Sequence, residues 1–275
     1  MPDHTHRTFR TSAAELHLVE AGSGPLVVLL HGFPESWFSW RNQIAPLAAA
    51  GFRVIAPDLR GFNESSKPQD ADSYRIPLLV QDIVELIEQH GGSCVLVGHD
   101  WGGVVAWFLA MTRPELVRKL IILNSPHPVP YSRELNRRMS QKLRASYQLV
   151  LATPLIGDLG ARAMLFAMRF AGRFTRDELA TMRAQWHKPG AVHAMTNYYR
   201  AMKKHRRELR KLVRPIDIPT LLIWGERDPV FIHETTENFG DYVPNLRVER
   251  IASSGHFVQT DAAKRVTELL IEFAT

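Results

Sequence analysis

The residues with the clearest chemical potential are Gly98-His99-Asp100-Trp101-Gly102-Gly103, directly after the apolar run Cys94–Val97. Glycines bracket Asp100 in the Gly-x-nucleophile-x-Gly frame of a strand–turn–helix elbow, whose centre is usually a serine. The glycines let neighbouring backbone pass close to a sharp turn. Such a turn lifts the central side chain above a sheet, at the N-terminus of a helix whose dipole favours an anion and lowers the carboxyl pKa. An aspartate capping an ordinary helix fits the same six residues equally well. The rest of the chain discriminates between the two.

An elbow enzyme needs an acid and then a histidine further along the chain. The apolar run Thr220–Trp224 leads into Gly225-Glu226-Arg227-Asp228-Pro229, which places Asp228 at a strand's C-terminal end, where sites collect in α/β proteins. Leu246–Ile251 leads into Ser253-Ser254-Gly255-His256-Phe257. Asp228 alone reads as a turn residue and His256 alone as a surface histidine; their order after Asp100 makes them a triad. His99 is a poor base for Asp100, because adjacent strand residues point to opposite faces. Leu26–Leu30 is followed by His31-Gly32-Phe33-Pro34, a loop placed to supply an oxyanion-hole N–H from Phe33, with the second N–H from Trp101.

An aspartate in this role displaces a leaving group from an sp3 carbon and becomes an alkyl ester. Water activated by His256, with Asp228 behind it, then attacks the Asp100 carbonyl and frees an alcohol. The leaving group is either a halide or the ring oxygen of an epoxide. A halide needs only N–H donors, for which the Trp101 indole is available. A basic alkoxide needs a proton donor, and tyrosine stays neutral at working pH. The segment between Ser125 and Pro215 holds Tyr131, Tyr147, Tyr198 and Tyr199. On a helix over 191–207, Tyr198 and Tyr199 straddle the apolar face formed by Ala191, Val192, Met195 and Met202 about equally, so periodicity does not choose between them.

These groups need a scaffold. Glu15–Val19 alternates like a half-exposed antiparallel strand, whereas Leu26–Leu30, Phe52–Ala56, Cys94–Val97, Leu120–Leu123 and Thr220–Trp224 are near-continuous apolar runs, the mark of parallel strands covered on both faces. Helical patterns over Trp40–Ala50, Ile76–His90 and Gly103–Thr112 alternate with them, and a helix over Ala262–Phe273 closes the chain. Between Ser125 and Pro215 the strand pattern stops; Thr175 and Glu178 have capping-box spacing there. The expected class is therefore α/β, a mostly parallel sheet flanked by helices. Its core is 1–126 and 214–275, with an inserted helical cap at 127–213. The very apolar Leu149–Phe170 reads as a lid packed on a greasy pocket in preference to a membrane-surface helix.

Composition narrows the setting. The chain has 275 residues, 45% hydrophobic, enough for a large core. No apolar run approaches the roughly 18 residues that span a bilayer, so no integral membrane association is expected. The polar start MPDHTHRTFR shows no secretory h-region and reads as a mobile tail. With Cys94 the only cysteine, a cytoplasmic location is expected. Lys and Arg exceed Asp and Glu by 34 to 28, largely through Arg200–Arg214, which reads as a solvated helix face. No nucleic-acid motif accompanies it. The scattered histidines suggest no metal site, His4 and His6 being the only close pair.

With these residues in place, the chain resembles the α/β-hydrolase superfamily, in its epoxide hydrolase branch, over nearly its whole length. The resemblance rests on His31-Gly32-Phe33-Pro34-Glu35-Ser36-Trp37, the GHDWGG elbow, the GERD turn and Gly255-His256-Phe257. It implies a cis peptide at Phe33–Pro34 and substrate contacts from His31, Pro34 and Trp37. It also selects two cap tyrosines: Tyr147 in Ser146-Tyr147-Gln148-Leu149 and Tyr199 in Asn197-Tyr198-Tyr199-Arg200. It implies a cofactor-independent enzyme, monomeric or homodimeric, that converts a small lipophilic epoxide and water to a vicinal diol. Haloalkane dehalogenase is the nearest alternative, although Phe33 offers no second polar donor. Fluoroacetate dehalogenases carry an arginine where this chain has Trp101. A ligand-binding protein on a hydrolase scaffold is the non-enzymatic alternative. Asn63 departs from the pattern, standing where relatives often have glycine.

Overall fold

The computed structural model describes residues 4–168, 174–239 and 242–275. Its strands are β1 (Thr5–Arg10), β2 (Glu15–Ala21), β3 (Leu26–Leu30), β4 (Arg53–Pro57), β5 (Cys94–His99), β6 (Val117–Leu123), β7 (Thr220–Gly225) and β8 (Leu246–Ile251). They form one sheet in the order β1-β2-β4-β3-β5-β6-β7-β8. β2 pairs antiparallel with β1 and β4, and every pairing from β4 through β8 is parallel. This is the α/β-hydrolase fold, a mostly parallel sheet flanked by helices.

Strands β3, β5 and β7 are buried along their whole length. Alternate side chains feed two cores, as the pleat requires. Val28, Leu30, Leu96, Ile122 and Leu222 face one, while Val27, Leu29, Val95, Val97, Ile121 and Ile223 face the other. Helices α2 (Ile76–Gln89) and α3 (Trp101–Thr112) cover the first; α1 (Ile44–Ala49) and α11 (Ala263–Ala274) cover the second, with the short α10 (Val258–Asp261) between β8 and α11. The inner face of α2, with Val80, Ile83, Val84, Leu86 and Ile87, is buried.

Between β6 and β7 the described residues are helical: α4 (Pro128–Arg137), α5 (Met139–Arg144), α6 (Ser146–Leu151), α7 (Ile156–Ala167), α8 (Arg176–Trp186) and α9 (Ala191–Arg210). The Thr175–Glu178 capping box is formed in both directions, at 2.8 and 3.3 Å. The basic stretch continues α9, where Arg200 pairs with Asp158 and Lys204 with Asp72.

Three expectations need correction. The N-terminal residues from Thr5 onward are a strand, not a mobile tail. In β1 only Phe9 is buried, so apolar periodicity was too weak to mark it, and the ladder with β2 carries the order. His6 stacks on the His17 ring with 5.0 Å between centroids. The helix expected over Trp40–Ala50 is a 3-10 turn at Trp37–Trp40 followed by α1 from Ile44. Pro46 lacks an N–H and is tolerated only in a first turn, which fixes the start of α1 just before it. Finally, the apolar lid packs with only one face. Leu151, Ala161 and Leu165 turn inward, but Leu149, Val150, Leu155, Ile156 and Leu159 are exposed. Residues 169 and 170 of that stretch lie outside the described residues.

Candidate active site

The elbow is formed by β5 ending at His99, Asp100 at φ 49° and ψ −117°, and α3 opening at Trp101. A positive φ on a non-glycine residue costs about 1–2 kcal/mol, so the surroundings must hold it. They do so by close approach: a Cβ on Gly102 would strike the Leu30 carbonyl, and one on Gly32 would strike the Asp100 side chain. The capping interpretation predicts that the Asp100 carboxylate accepts an N–H from the first turn of its own helix, and it accepts none. Instead Oδ1 accepts the Phe33 N–H at 2.8 Å. Ser125 Oγ donates to the Asp100 carbonyl at 2.8 Å, steadying the turn from β6. Trp101 opens α3, where first-turn N–H groups have no partner within the helix.

His256, after β8, spans two carboxylates. Its Nδ1–H donates to Asp228 Oδ2 at 2.9 Å, and its Nε2 lies 3.5 Å from Asp100 Oδ2. Asp228 is almost fully buried and saturated: Oδ1 accepts the N–H groups of Val230 (2.6 Å) and Phe231 (3.2 Å), and Oδ2 accepts Asn124 Nδ2 at 2.7 Å. Asn124 also accepts the Gly225 N–H at 2.9 Å, tying the end of β6 to the Asp228 turn. Asn124 and Ser125 were not singled out from sequence; their only signal is that they follow β6 directly, at the sheet edge where Asp100 and Asp228 emerge.

Burial alone would disfavour charge on all three groups, and their mutual attraction outweighs it. His256 is pushed up to about 10 by Asp228 and Asp100 against its desolvation. Asp100 and Asp228 are both held below the usual carboxylate value by the His256 charge and their hydrogen bonds, again against desolvation. The resting site is an imidazolium between two carboxylates.

The helical insertion brings Tyr147 from α6 and Tyr199 from α9 face to edge, with centroids 6.0 Å apart. Tyr199 also meets Trp101 at 5.1 Å and Phe33 at 5.7 Å. Burial and then nearby groups, the Asp100 charge among them, raise both phenols, so both stay protonated across neutral pH. The Trp101 indole beside it works the other way on Tyr199, without overcoming the rise. The Tyr198 ring also meets Trp101, at 5.2 Å, but its hydroxyl is committed: it donates to the Arg60 carbonyl at 2.6 Å, and the ring packs on Phe62 and Tyr74. The structure therefore separates the two neighbours that periodicity left unresolved.

The Phe33–Pro34 peptide is cis. Pro34 accepts the Trp186 indole N–H at 2.7 Å, so its carbonyl anchors the insertion to the Phe33 loop. His31 is fully buried with both nitrogens used, Nδ1–H on the Gly32 carbonyl (3.0 Å) and Nε2 on the Leu59 N–H (3.0 Å). It braces the loop and has no nitrogen left for a substrate. The Trp37 ring packs against His4, His6 and Phe38, not against the groups around Asp100. Asn63 sits at φ 41°, which explains why glycine suits that position, and its side chain donates to Asp58 at 2.8 Å.

Beneath the triad lies a buried polar cluster that sequence reading did not assign. His99 Nε2–H donates to the His256 carbonyl at 2.9 Å, so its Nδ1 accepts, here from Gln259 Nε2 at 3.2 Å. Glu35 Oε2 accepts from Ser39 Oγ (2.8 Å) and Gln259 Nε2 (3.0 Å). Glu35 lies 3.6 Å from His99, yet the two are not an ion pair: burial and the nearby His256 charge push His99 down to about 4, and burial pushes Glu35 up to about 7. Among the described residues, no group of three His, Cys, Asp or Glu side chains is placed to hold a metal ion.

Comparison with known proteins agrees with this architecture. Residues 25–263 match the family described as alpha/beta hydrolase fold. The chain is 38% identical to the AB hydrolase superfamily protein YfhM of Bacillus subtilis, over 96% of this chain and 95% of that one. It is 34% identical to epoxide hydrolase 4 of Mus musculus, over 98% and 79% of the two chains. The crystal structure of Bacillus megaterium epoxide hydrolase in complex with an inhibitor superposes with a TM-score of 0.88 at 34% identity, covering 97% of this chain and 99% of that one. The chain belongs to the α/β-hydrolase superfamily, in its epoxide hydrolase family.

Proposed function

We propose that this epoxide hydrolase opens a lipophilic oxirane through a covalent ester on Asp100. The observation that carries this reading is the uncapped Asp100 carboxylate, with Oδ1 on the Phe33 N–H, Oδ2 facing His256, and two protonated phenols within reach of its charge. Oδ2 attacks a ring carbon; the C–O bond to the ring oxygen breaks as Tyr147 and Tyr199 hydrogen-bond that oxygen and one of them protonates it. Alkylation removes a negative charge from beside Nε2. His256 then loses one of the two partners that held its proton, passes that proton to the phenolate left by ring opening, and is a neutral base when a base is required. It takes a proton from water, which attacks Cγ of the ester. The oxyanion forms at Oδ1, held by the N–H groups of Phe33 and Trp101, and collapse releases the diol. The departing alkoxide takes the second proton of the attacking water, and His256 is left as the imidazolium of the resting site.

Helices α4–α9 act in this reading as the cap, residues 127–213, over the core of 1–126 and 214–275. The aromatic surroundings of Asp100 (Phe33, Trp101, Tyr147 and Tyr199) favour an aryl or alkyl epoxide. Every group named comes from one chain, which suits a monomer or a homodimer, and the single buried cysteine, Cys94, suits a cytoplasmic setting.

The test uses His256→Gln, which forms the ester but does not hydrolyse it. Incubation with an aryl epoxide is expected to add the mass of the whole epoxide, mapped by peptide mass to Asp100. An alkyl gain from a chloroalkane alone would convert the assignment to dehalogenase. No adduct from either, with inert wild type, would remove the catalytic assignment.

A further inference from the structure

The apolar side chains on the outside of the insertion are not part of the site. Met139 and Leu143 lie one turn apart on α5, and Leu149 lies on α6. Leu155, Ile156 and Leu159 lie at and just after the start of α7. All six are exposed, Leu155 at 82% and Leu159 at 69%. The helices α6 and α7 pack together at Gly160, where an added Cβ would sit 3.0 Å from Val150, itself exposed. Leu155 is held at φ 63°, a conformation that disfavours any side chain with a Cβ. The chain thus adopts a strained turn that points a leucine into solvent. Soluble monomers rarely show a continuous apolar surface of this kind without a use for it.

Charge identifies the occupant. Residues 137–168 carry Arg137, Arg138, Lys142, Arg144 and Arg162 against one acid, Asp158. Asp158 is engaged by Arg200 and Thr196 (both 2.6 Å) and His193 (2.8 Å). Arg138 pairs with Glu134 and Glu234, and Arg144 turns to the Asp228 carbonyl. Lys142, one turn from Met139 on α5, Arg162, one turn from Leu159 on α7, and Arg137, two residues before Met139, are exposed, with no carboxylate paired to them among the described residues. A two-fold contact with a second copy centred on this face would set these cations against their own kind, the one acid of residues 137–168 being already engaged. A bilayer with anionic headgroups answers both features: acyl chains for the leucines, phosphates for the cations. Among the described residues no single helix is long and apolar enough to cross a membrane.

We infer that the outer face of α5–α7, led by Leu155 and Leu159 and rimmed by Arg137, Lys142 and Arg162, docks on an anionic lipid surface. The inference does not rest on the catalytic assignment.

The test is co-sedimentation of the full chain with vesicles of equimolar phosphatidylcholine and phosphatidylglycerol, against phosphatidylcholine alone. Wild type is expected to pellet with the anionic vesicles at least about tenfold more strongly, and less so as salt rises. Each of Arg137→Gln, Lys142→Gln and Arg162→Gln should weaken binding about fivefold. The double variant Leu155→Glu/Leu159→Glu should abolish it while keeping wild-type melting and turnover of a water-soluble epoxide. No pelleting with either vesicle overturns the proposal, as does full pelleting of the folded double variant. So does a concentration-dependent dimer that the double variant dissolves while vesicles fail to bind, which would make a second copy the occupant.

Discussion

The indole N–H of Trp186 donates to the Pro34 carbonyl at 2.7 Å, joining the end of α8 to the loop that carries the Phe33 N–H. Both ends of this bond are buried, and the next residue back from Pro34 holds Asp100. The insertion and the oxyanion loop are therefore positioned together. Trp186→Phe keeps most of the apolar volume but leaves the Pro34 carbonyl without its donor, a loss of about 1–3 kcal/mol in folding stability. The expected kinetic result is a several-fold slower alkylation step in single-turnover measurements, with the pH profile unchanged. A stability loss with no change in that step would reduce the bond to a purely structural tie.

Tyr198 and Tyr199 are adjacent in sequence and should respond differently to losing a hydroxyl. Tyr199→Phe and Tyr147→Phe each remove one of two donors to the leaving oxygen, so each should slow alkylation by roughly 10–100-fold. The double variant should approach the full 10²–10⁴-fold expected of general acid catalysis. Tyr198→Phe removes the donor to the Arg60 carbonyl instead. It should cost about 1 kcal/mol or somewhat more of stability and leave alkylation within about twofold. Rapid mixing with an epoxide, read through the Trp101 fluorescence beside the site, together with thermal melts, separates the two outcomes. Equal losses of rate in Tyr198→Phe and Tyr199→Phe would contradict the assignment.

The pH dependence follows from His256 lying between two carboxylates. In the free enzyme its imidazolium persists up to about pH 10, and Asp100 stays ionised well below neutrality. Alkylation needs the carboxylate and the protonated phenols, which stay protonated across neutral pH, so its rate should be flat there and fall in acid as Asp100 is protonated. Hydrolysis needs neutral imidazole. Once the ester cancels the Asp100 charge, the His256 pKa drops from its free-enzyme value, and hydrolysis should rise with pH through that lower pKa to a plateau. Single-turnover formation and decay of the ester at a series of pH values check this directly. A decay rate that rises only near pH 10 would show that the ester leaves the His256 environment unchanged.

How much of this was readable beforehand depended on how each residue declares itself. Asp100, Asp228 and His256 were legible because strand-then-turn contexts and chain order are written in sequence. Asn124 and Ser125 were not, since their contribution is a contact across strands that no local pattern announces. His31 and Trp37 stand in a recognisable run of residues, but which way each ring turns depends on packing: His31 goes inward to Leu59, Trp37 outward to His4 and His6. Strand β1 escaped because one buried residue in six leaves no alternation to read. The apolar stretch in α6 and α7 was read as packed because hydrophobic content reports how much apolar surface exists and not which of it is covered.

Glu35 supplies a stability test independent of catalysis. Its carboxyl is buried with Ser39 and Gln259 and rises from the ordinary 4.5 to about 7. Below pH 4.5 it is protonated in folded and unfolded chains alike, and its ionisation does not oppose folding. As pH rises from 4.5 to 7 the unfolded chain releases the proton while the folded chain keeps it, so stability falls; above 7 the full penalty applies. That penalty is at most about 3 kcal/mol. Glu35→Gln copies the protonated form at every pH and keeps an oxygen for Ser39 and Gln259. The variant's stability relative to wild type should therefore increase between pH 4.5 and 7 and then level off, measured by denaturant unfolding at fixed temperature. A difference that stays constant with pH would mean that Glu35 titrates alike in the folded and unfolded chains, and that its burial in this cluster exerts no hold on its proton.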